Sequence, residues 1–339
     1  MKAMVLKSPR ALGQEEVERP LIEDGTTLVR ITHSGVCGTD LKIYQGGIPV
    51  NYPRIMGHEM IGEVMEVGSE SDIHTGSRVI IDPVFYCGHC YQCHRSQESL
   101  CPNGYILGRD QDGGFSDYLR VPSDAVFPLP DNINGQVAPL IQVLTTAVHA
   151  QRLVKIFPSE AVLVLGLGVA GQLHVQLAKA RGAYPVIGIT RSPQRRALAE
   201  KLGADFTFAP DEDVKSHLLE LTNGVGADVV IETVGALPML ANAVDYARIG
   251  GRLLLFGIYT GHEANLPFYD LYFKELALIN ARAARREDFP SAIAMVSQGQ
   301  VQLDSMVSHV LPLIELDRAI EMLAERDDQR MKVILDHVA

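Results

Sequence analysis

Basic residues are in short supply. The 339-residue chain carries 30 Lys and Arg against 41 Asp and Glu, a formal net charge of −11. A nucleic-acid partner, which needs a basic face, has no electrostatic support. Long apolar runs are also missing. None approaches the ~20 residues of a membrane-spanning helix. The opening Met1-Lys2-Ala3-Met4-Val5-Leu6 lacks the apolar core of a secretion signal and reads as a first strand. Cytoplasmic residence is the default expectation. Cysteine is sparse, with five in all. Four of them crowd between positions 87 and 101, which in a reducing compartment favours a metal over disulfides. No repeat and no low-complexity segment interrupts the chain. Its length therefore suggests two domains, at the loose prior of about 150 residues each.

The chain is organised around Ala161–Gln172. An apolar run, Ala161-Val162-Leu163-Val164-Leu165, reads as a parallel strand covered on both faces. A glycine turn and a helix start follow, with glycines at 166, 168 and 171 in the spacing G-x-G-x-x-G. Gly166 permits a tight turn, Gly168 lets backbone approach a pyrophosphate, and Gly171 lets helix and strand pack closely. The N–H groups of Val169, Ala170 and Gly171 then face the phosphate oxygens. Such a triplet also occurs for packing alone, but its place between strand and helix points to a dinucleotide site.

Strand candidates Pro185–Thr190, Phe206–Phe208, Val229–Glu232, Leu253–Phe256 and Ala277–Asn280 continue the pattern. Helices Ser192–Leu202, Asp211–Thr222 and Pro238–Arg248 lie between most of them. The alternation predicts an α/β fold, a doubly wound parallel sheet over residues 146–282. The turns Glu232–Gly235 and Phe256–Tyr259, at strand ends, are expected to line the nicotinamide and ribose. An NAD site usually carries Asp or Glu about 20 residues past the glycines, on the ribose 2′-hydroxyl. Here that strand ends Ile189-Thr190-Arg191-Ser192, without a carboxylate. Arg191, the Thr190 and Ser192 hydroxyls, and Arg195 or Arg196 could receive a 2′-phosphate. NADP is therefore favoured, with NAD possible. The alternative makes these arginines solvated charges at a helix start.

Residues 1–145 are punctuated differently. Strand-like stretches at Thr27–Thr32, Ile61–Val67, Arg78–Asp82 and Phe115–Val121, broken by Gly, Pro and Asp, suggest a β-rich domain. Cys87-x2-Cys90-x2-Cys93-x7-Cys101 can close a tetrahedron of thiolates around Zn2+. A closed site of that kind holds a loop and does not catalyse. His89 and His94 lie inside the loop and are read as solvated. Cys37 stands apart from the cluster, and His58-Glu59 follows later. Thiolate, imidazole and carboxylate are all good Zn2+ ligands, but spacing alone does not join them.

Val36-Cys37-Gly38-Thr39-Asp40, Gly57-His58-Glu59, the four-cysteine loop and Gly166-x-Gly168-x-x-Gly171 occur in that order. So arranged, they resemble the zinc-dependent medium-chain dehydrogenase/reductase family over essentially the whole chain. The resemblance implies a GroES-like catalytic domain (1–145, completed by 283–339), a Rossmann domain and zinc-assisted hydride transfer. It implies two Zn2+ per chain. Cys37 and His58 would be catalytic zinc ligands, and Glu59 a third or exchangeable one. Asp40 would orient His58, and Thr39 would begin a proton relay. The alternative for Thr39 and Asp40 is capping of a helix over Asp40–Gln45. Helices at Glu287–Ser297 and Glu315–Ala324 and a strand at Lys332–Asp336 would close the catalytic domain.

Departures from the family pattern matter. Many relatives have histidine where this chain has Lys42, and an ordinary lysine is a poor proton shuttle at neutral pH. Gln142 stands where simple-alcohol enzymes place a cysteine ligand and polyol enzymes usually a glutamate. That argues for a polar pocket, against the alternative of a helix-surface glutamine. Arg282 is a candidate for the substrate and Lys332 for the pyrophosphate; the alternative for each is a surface charge. The likeness is nearest to polyol, sugar and sugar-acid dehydrogenases, taking a small alcohol as partner and assembling as a homodimer or homotetramer. The competing expectations are a simple-alcohol or aldehyde reductase, and a non-catalytic zinc- and nucleotide-binding redox sensor.

Overall fold

Two chain units separate in the structure, a computed structural model that describes residues 1–68, 72–259, 265–325 and 327–338. The first comprises Met1–Thr145, Arg285–Gln298 and Leu303–Ala339; the second comprises Thr146–Ala284 and Gly299–Gln302.

The first unit is β-rich. Its strands begin with β1 (Lys2–Ser8), β2 (Ala11–Glu16), β3 (Thr26–Val36), β4 (Arg54–Ile55) and β5 (Met60–Val67). They continue with β6 (Arg78–Ile81), β7 (Val84–Phe85), β8 (Tyr105–Ile106), β9 (Tyr118–Pro122) and β10 (Val126–Pro128). The first helix, α1 (Gly38–Tyr44), follows β3 directly, and α2 (Leu140–Val154) begins at the unit's end. β3 runs through to Val36, four residues beyond the Thr32 expected from the sequence. This extension delivers Cys37 to the end of the central strand. α1 likewise starts earlier than expected, because Cys37 is its N-cap and Asp40 falls at its third position.

The second unit holds β11 (Val162–Leu165), α3 (Val169–Ala180), β12 (Val186–Ile189), α4 (Pro193–Lys201) and β13 (Phe206–Phe208). α5 (Val214–Leu221), β14 (Ala227–Glu232), α6 (Leu237–Tyr246), β15 (Ala247–Leu255), α7 (Phe268–Phe273) and β16 (Ala277–Asn280) complete it. The strands lie in the order β13-β12-β11-β14-β15-β16, and every pair is parallel. This is the doubly wound Rossmann order, in which ligands bind beyond the strands' carboxyl ends. β11 and β12 are buried along their whole length, as strands covered on both faces must be. The short Gly299–Gln302 segment belongs here because Gln176 on α3 clasps the Gln302 backbone, accepting from its N–H at 2.7 Å and donating to its carbonyl at 3.1 Å.

The chain then returns through α8 (Asp288–Ser297), β17 (Val307–Pro312), α9 (Leu316–Ala324) and β18 (Lys332–Asp336). β18 inserts between β17 and β3, giving the run β10-β6-β5-β3-β18-β17. No helix among the described residues is long and apolar enough to cross a membrane.

The core of the second unit contains a buried histidine. His174 on α3 is fully buried, accepts from Gln151 Nε2 at 3.2 Å and meets the Phe256 ring edge-on. Burial lowers its pKa from 6.5 to about 3. The unfolded chain therefore takes up a proton there before the folded one does. Stability is complete above about pH 6.5, declines as pH falls, and this contribution is exhausted once pH passes through about 3. His174→Leu is expected to flatten that slope. Melting temperatures of parent and variant, recorded in parallel across the range, check it, since contributions from other groups cancel in the difference.

Candidate active site and metal centres

Sheet register assembles the first metal centre. β3 pairs antiparallel with β5, placing Ser34 opposite Met60, and with β18, placing Val36 opposite Val333. His58-Glu59 precedes β5, Cys37 follows β3, and Lys332 opens β18. Three strand ends thus bring four functional side chains to one edge. The Gly35 N–H donates to the Glu59 carbonyl at 2.8 Å and fixes the junction.

Ligand atoms of Cys37, His58 and Glu59 all lie within 4.8 Å of one another. Asp40 serves two purposes. One carboxylate oxygen accepts from the Cys37 N–H at 2.8 Å, and the other faces His58 Nδ1 at 3.5 Å. The capping and orienting roles expected of Asp40 are therefore compatible. Thr39 lies inside the first turn of α1 and does not cap it. Burial pulls the His58 pKa down, but the Asp40 carboxylate and Cys37 outweigh it and hold it well above the ordinary value. An imidazole facing the buried Asp40 carboxylate is a place for positive charge. With Nδ1 turned to Asp40, Nε2 is the nitrogen left for a metal. A sulfur, an imidazole and a carboxylate at this separation fit Zn2+ with a position to spare for substrate.

Glu59 is completely buried, and its Oε2 forms an ion pair with Lys332 Nζ. Lys332 is itself only 4% exposed. The surface-charge alternative for Lys332 is thereby corrected: its ammonium is committed to Glu59. Nothing in the local sequence joins residues 59 and 332; only the β18–β3–β5 order does. The one local sign is Gly35, where a Cβ would overlap Glu59 Oε2 and lie 2.8 Å from Lys332 Cε. Gln142 sits in the first turn of α2 and is 8% exposed, so it is not a surface glutamine. Lys42, on α1, is half-buried.

The second metal centre is closed. Sγ atoms of Cys90 and Cys93 are 3.4 Å apart, Cys90 and Cys101 3.7 Å, and Cys87 and Cys101 3.6 Å. Four sulfurs placed tetrahedrally at about 2.3 Å from one ion are about 3.8 Å apart, so the set fits Zn2+. His89 and His94 are exposed and stand outside the ligand group; His89 Nδ1 lies 2.7 Å from the Cys87 carbonyl oxygen.

In the second unit each glycine of the triplet has its own geometry. Gly166 has φ +91°, a left-handed conformation that suits glycine. A Cβ at Gly171 would overlap the Gly166 carbonyl, whereas one at Gly168 would meet nothing within 4 Å. Gly168 caps α3 without a side chain. The N–H groups opening α3, at Val169, Ala170 and Gly171, are therefore left for an anion. α3 begins at Val169, directly after the glycine turn.

The end of β12 departs from expectation. Ser192 is buried, and its hydroxyl is taken up by the α4 cap, accepting from the Arg195 N–H at 3.3 Å and donating to Gln194 Oε1 at 3.2 Å. Arg196 turns Nη1 onto the Thr190 and Arg191 carbonyls at 2.9 and 3.3 Å and so braces the turn. That leaves Arg191 exposed and Thr190 half-buried at the strand end. Arg282, beyond β16, is exposed.

A Rossmann sheet, a β-rich unit with an open Cys–His–Glu centre, and a closed four-cysteine centre define a zinc-dependent dehydrogenase. Comparison with known proteins agrees. Residues 23–131 match the model "Alcohol dehydrogenase GroES-like domain" and residues 169–298 match "Zinc-binding dehydrogenase". L-galactonate-5-dehydrogenase of Escherichia coli is 32% identical, over 95% of this chain and 94% of its own. L-threonine 3-dehydrogenase of Pyrococcus abyssi is 35% identical, over 90% of each. A Sinorhizobium meliloti structure, described as a zinc-binding dehydrogenase bound to NADP, superposes with TM-score 0.93 at 30% identity. It covers 99% of this chain and 98% of its own. The chain belongs to the zinc-binding medium-chain dehydrogenase family and is a zinc-type, NAD(P)-dependent dehydrogenase. A non-catalytic redox sensor is thereby set aside.

Proposed function

We propose that this enzyme catalyses the reversible oxidation of a secondary hydroxyl in a small polyol, sugar or sugar acid, with NADP preferred to NAD. The observation that carries the reading is the open donor set of Cys37, His58 and Glu59 within 4.8 Å, in a chain with a buried amide at Gln142 where a cysteine would suit simple alcohols. The relative acting on L-galactonate supports it. Zn2+ held there supplies a Lewis acid that lowers the pKa of a substrate hydroxyl. Asp40 keeps His58 turned toward the metal position, Lys332 neutralises Glu59, and Thr39, beside Cys37, receives the hydroxyl proton. Gln142 is the candidate hydrogen-bond partner for a further substrate hydroxyl or a carboxylate.

For the dinucleotide, the pyrophosphate is assigned to the N–H groups opening α3. The 2′-phosphate is assigned to Arg191 and Thr190, held in place by Arg196. The absence of a carboxylate at the end of β12 removes the repulsion that would exclude NADP. Initial rates across sugar acids, polyols, L-threonine and aliphatic alcohols, with each dinucleotide, test the reading. Fastest turnover of an aliphatic alcohol would overturn the substrate class. Arg191→Ala is expected to lower kcat/KM with NADP by about 10- to 100-fold, the worth of a charged phosphate contact, and to leave NAD nearly unaffected. Equal losses with both would remove Arg191 from the 2′-phosphate. A homodimer or homotetramer is expected, and sedimentation checks it.

A further inference from the structure

We propose that Glu232 and Tyr259 are positioning residues that set the nicotinamide half of the dinucleotide site. The proposal rests on the reading that the second unit binds NADP or NAD.

Glu232 is the last residue of β14, at the middle of the sheet. In register it lies between Leu165, ending β11, and Leu255, ending β15. It is completely buried, and no cation pairs with it among the described residues. A buried carboxylate is tolerated only where hydrogen bonds replace water. Here they come from two turns at once. Oε1 accepts from the Val234 N–H at 2.7 Å and the Gly235 N–H at 3.1 Å. Oε2 accepts from the Gly235 N–H at 3.0 Å and from the Tyr259 hydroxyl. Burial and the neighbouring carboxylate raise the Tyr259 pKa, so the phenol keeps its proton to donate. One side chain thus ties the turn after β14 to the turn after β15.

The same strand end is tied to the glycine turn. Thr233 Oγ1 lies 3.0 Å from the Leu165 and the Gly166 carbonyl oxygens. The turns also touch without slack. A Cβ at Gly235 would lie 2.7 Å from the Ile258 carbonyl oxygen, and one at Gly257 2.8 Å from Glu232 Oε2. Their tips nevertheless present apolar side chains outward: Val234 is 55% exposed and Ile258 67%. Two apolar groups held out of a core, beyond the carboxyl ends of β14 and β15, stand on the second mononucleotide half of the sheet. The adenine half lies across β12 and β13. Glu232 and Tyr259 act by fixing the loops that carry the nicotinamide side.

The test separates the halves. Dissociation constants are measured for NADPH, by its own emission, and for adenosine 2′,5′-bisphosphate, by calorimetry, on parent, Tyr259→Phe and Glu232→Gln. Each variant removes one donor or the charge that gathers them. Expected is a loss of about tenfold or more for NADPH, with a changed emission maximum, and less than about twofold for the bisphosphate. Equal losses for both ligands, or none for either, overturn the proposal. Tyr259→Phe is the milder change and decides the matter if Glu232→Gln does not fold. A parent protein that binds neither NADPH nor NADH overturns the dinucleotide reading itself, and this proposal with it.

Discussion

Replacing His58 with alanine is expected to lower kcat/KM by roughly 10^4-fold or more and to halve the zinc content from two ions per chain to one. The reason lies in the donor set. Cys37 and Glu59 remain, but two ligands at the edge of a sheet do not hold an open-site metal against water. Asp40 would then be a buried carboxylate facing a gap, where it now faces Nδ1 at 3.5 Å. The four-cysteine loop is built from residues 87–101 alone and keeps its ion. Dinucleotide affinity is expected to change little, because the glycine turn belongs to the second chain unit. Metal analysis, NADPH emission and steady-state rates on one preparation check the three parts together. A variant that kept both ions and its turnover would remove His58 from the chemistry.

Legibility of the sequence followed the range of the interaction. β13, β16 and β18 have the bounds expected from the sequence, and β11 starts one residue later than expected. Burial does not decide this: β16 is mostly exposed, whereas β12, buried along its length, falls one residue short of the expected run at each end. The glycine triplet and the cysteine loop are equally local, each within fifteen residues or fewer. Capping was half legible: Ser192 reads as a helix start, but its hydroxyl could serve a phosphate or the cap, and only coordinates show the cap. What escaped was long-range. Lys332 meets Glu59 because two register choices, β18 on β3 and β3 on β5, coincide at one strand end. Glu232 gathers donors from residue 259 through the adjacency of β14 and β15. Register is decided by whole strands and leaves no mark at either partner, save for a glycine such as Gly35 that must make room.

Lys332→Met is the change expected to harm stability most. The ammonium and the Glu59 carboxylate are 5% and 1% exposed as side chains, so neither partner has water to fall back on. Removing one charge leaves the other buried and unpaired, at a cost of about 3–5 kcal/mol. Glu59→Gln alone should be costly for the same reason, with the ammonium stranded instead. The double variant, Glu59→Gln with Lys332→Met, removes both charges and is expected to recover much of the loss, because two neutral side chains of similar volume need no compensation. A metal at Cys37 and His58 would put positive charge beside Glu59 and stand in part for the missing ammonium. The deficit of Lys332→Met should therefore grow when zinc is stripped, whereas that of the double variant should not. Unfolding of the first unit, followed for all four members of the cycle with and without chelator, gives the coupling directly. A single variant within about 0.5 kcal/mol of the parent would mean that the pair contributes nothing, and that Glu59 is neutralised by some other means.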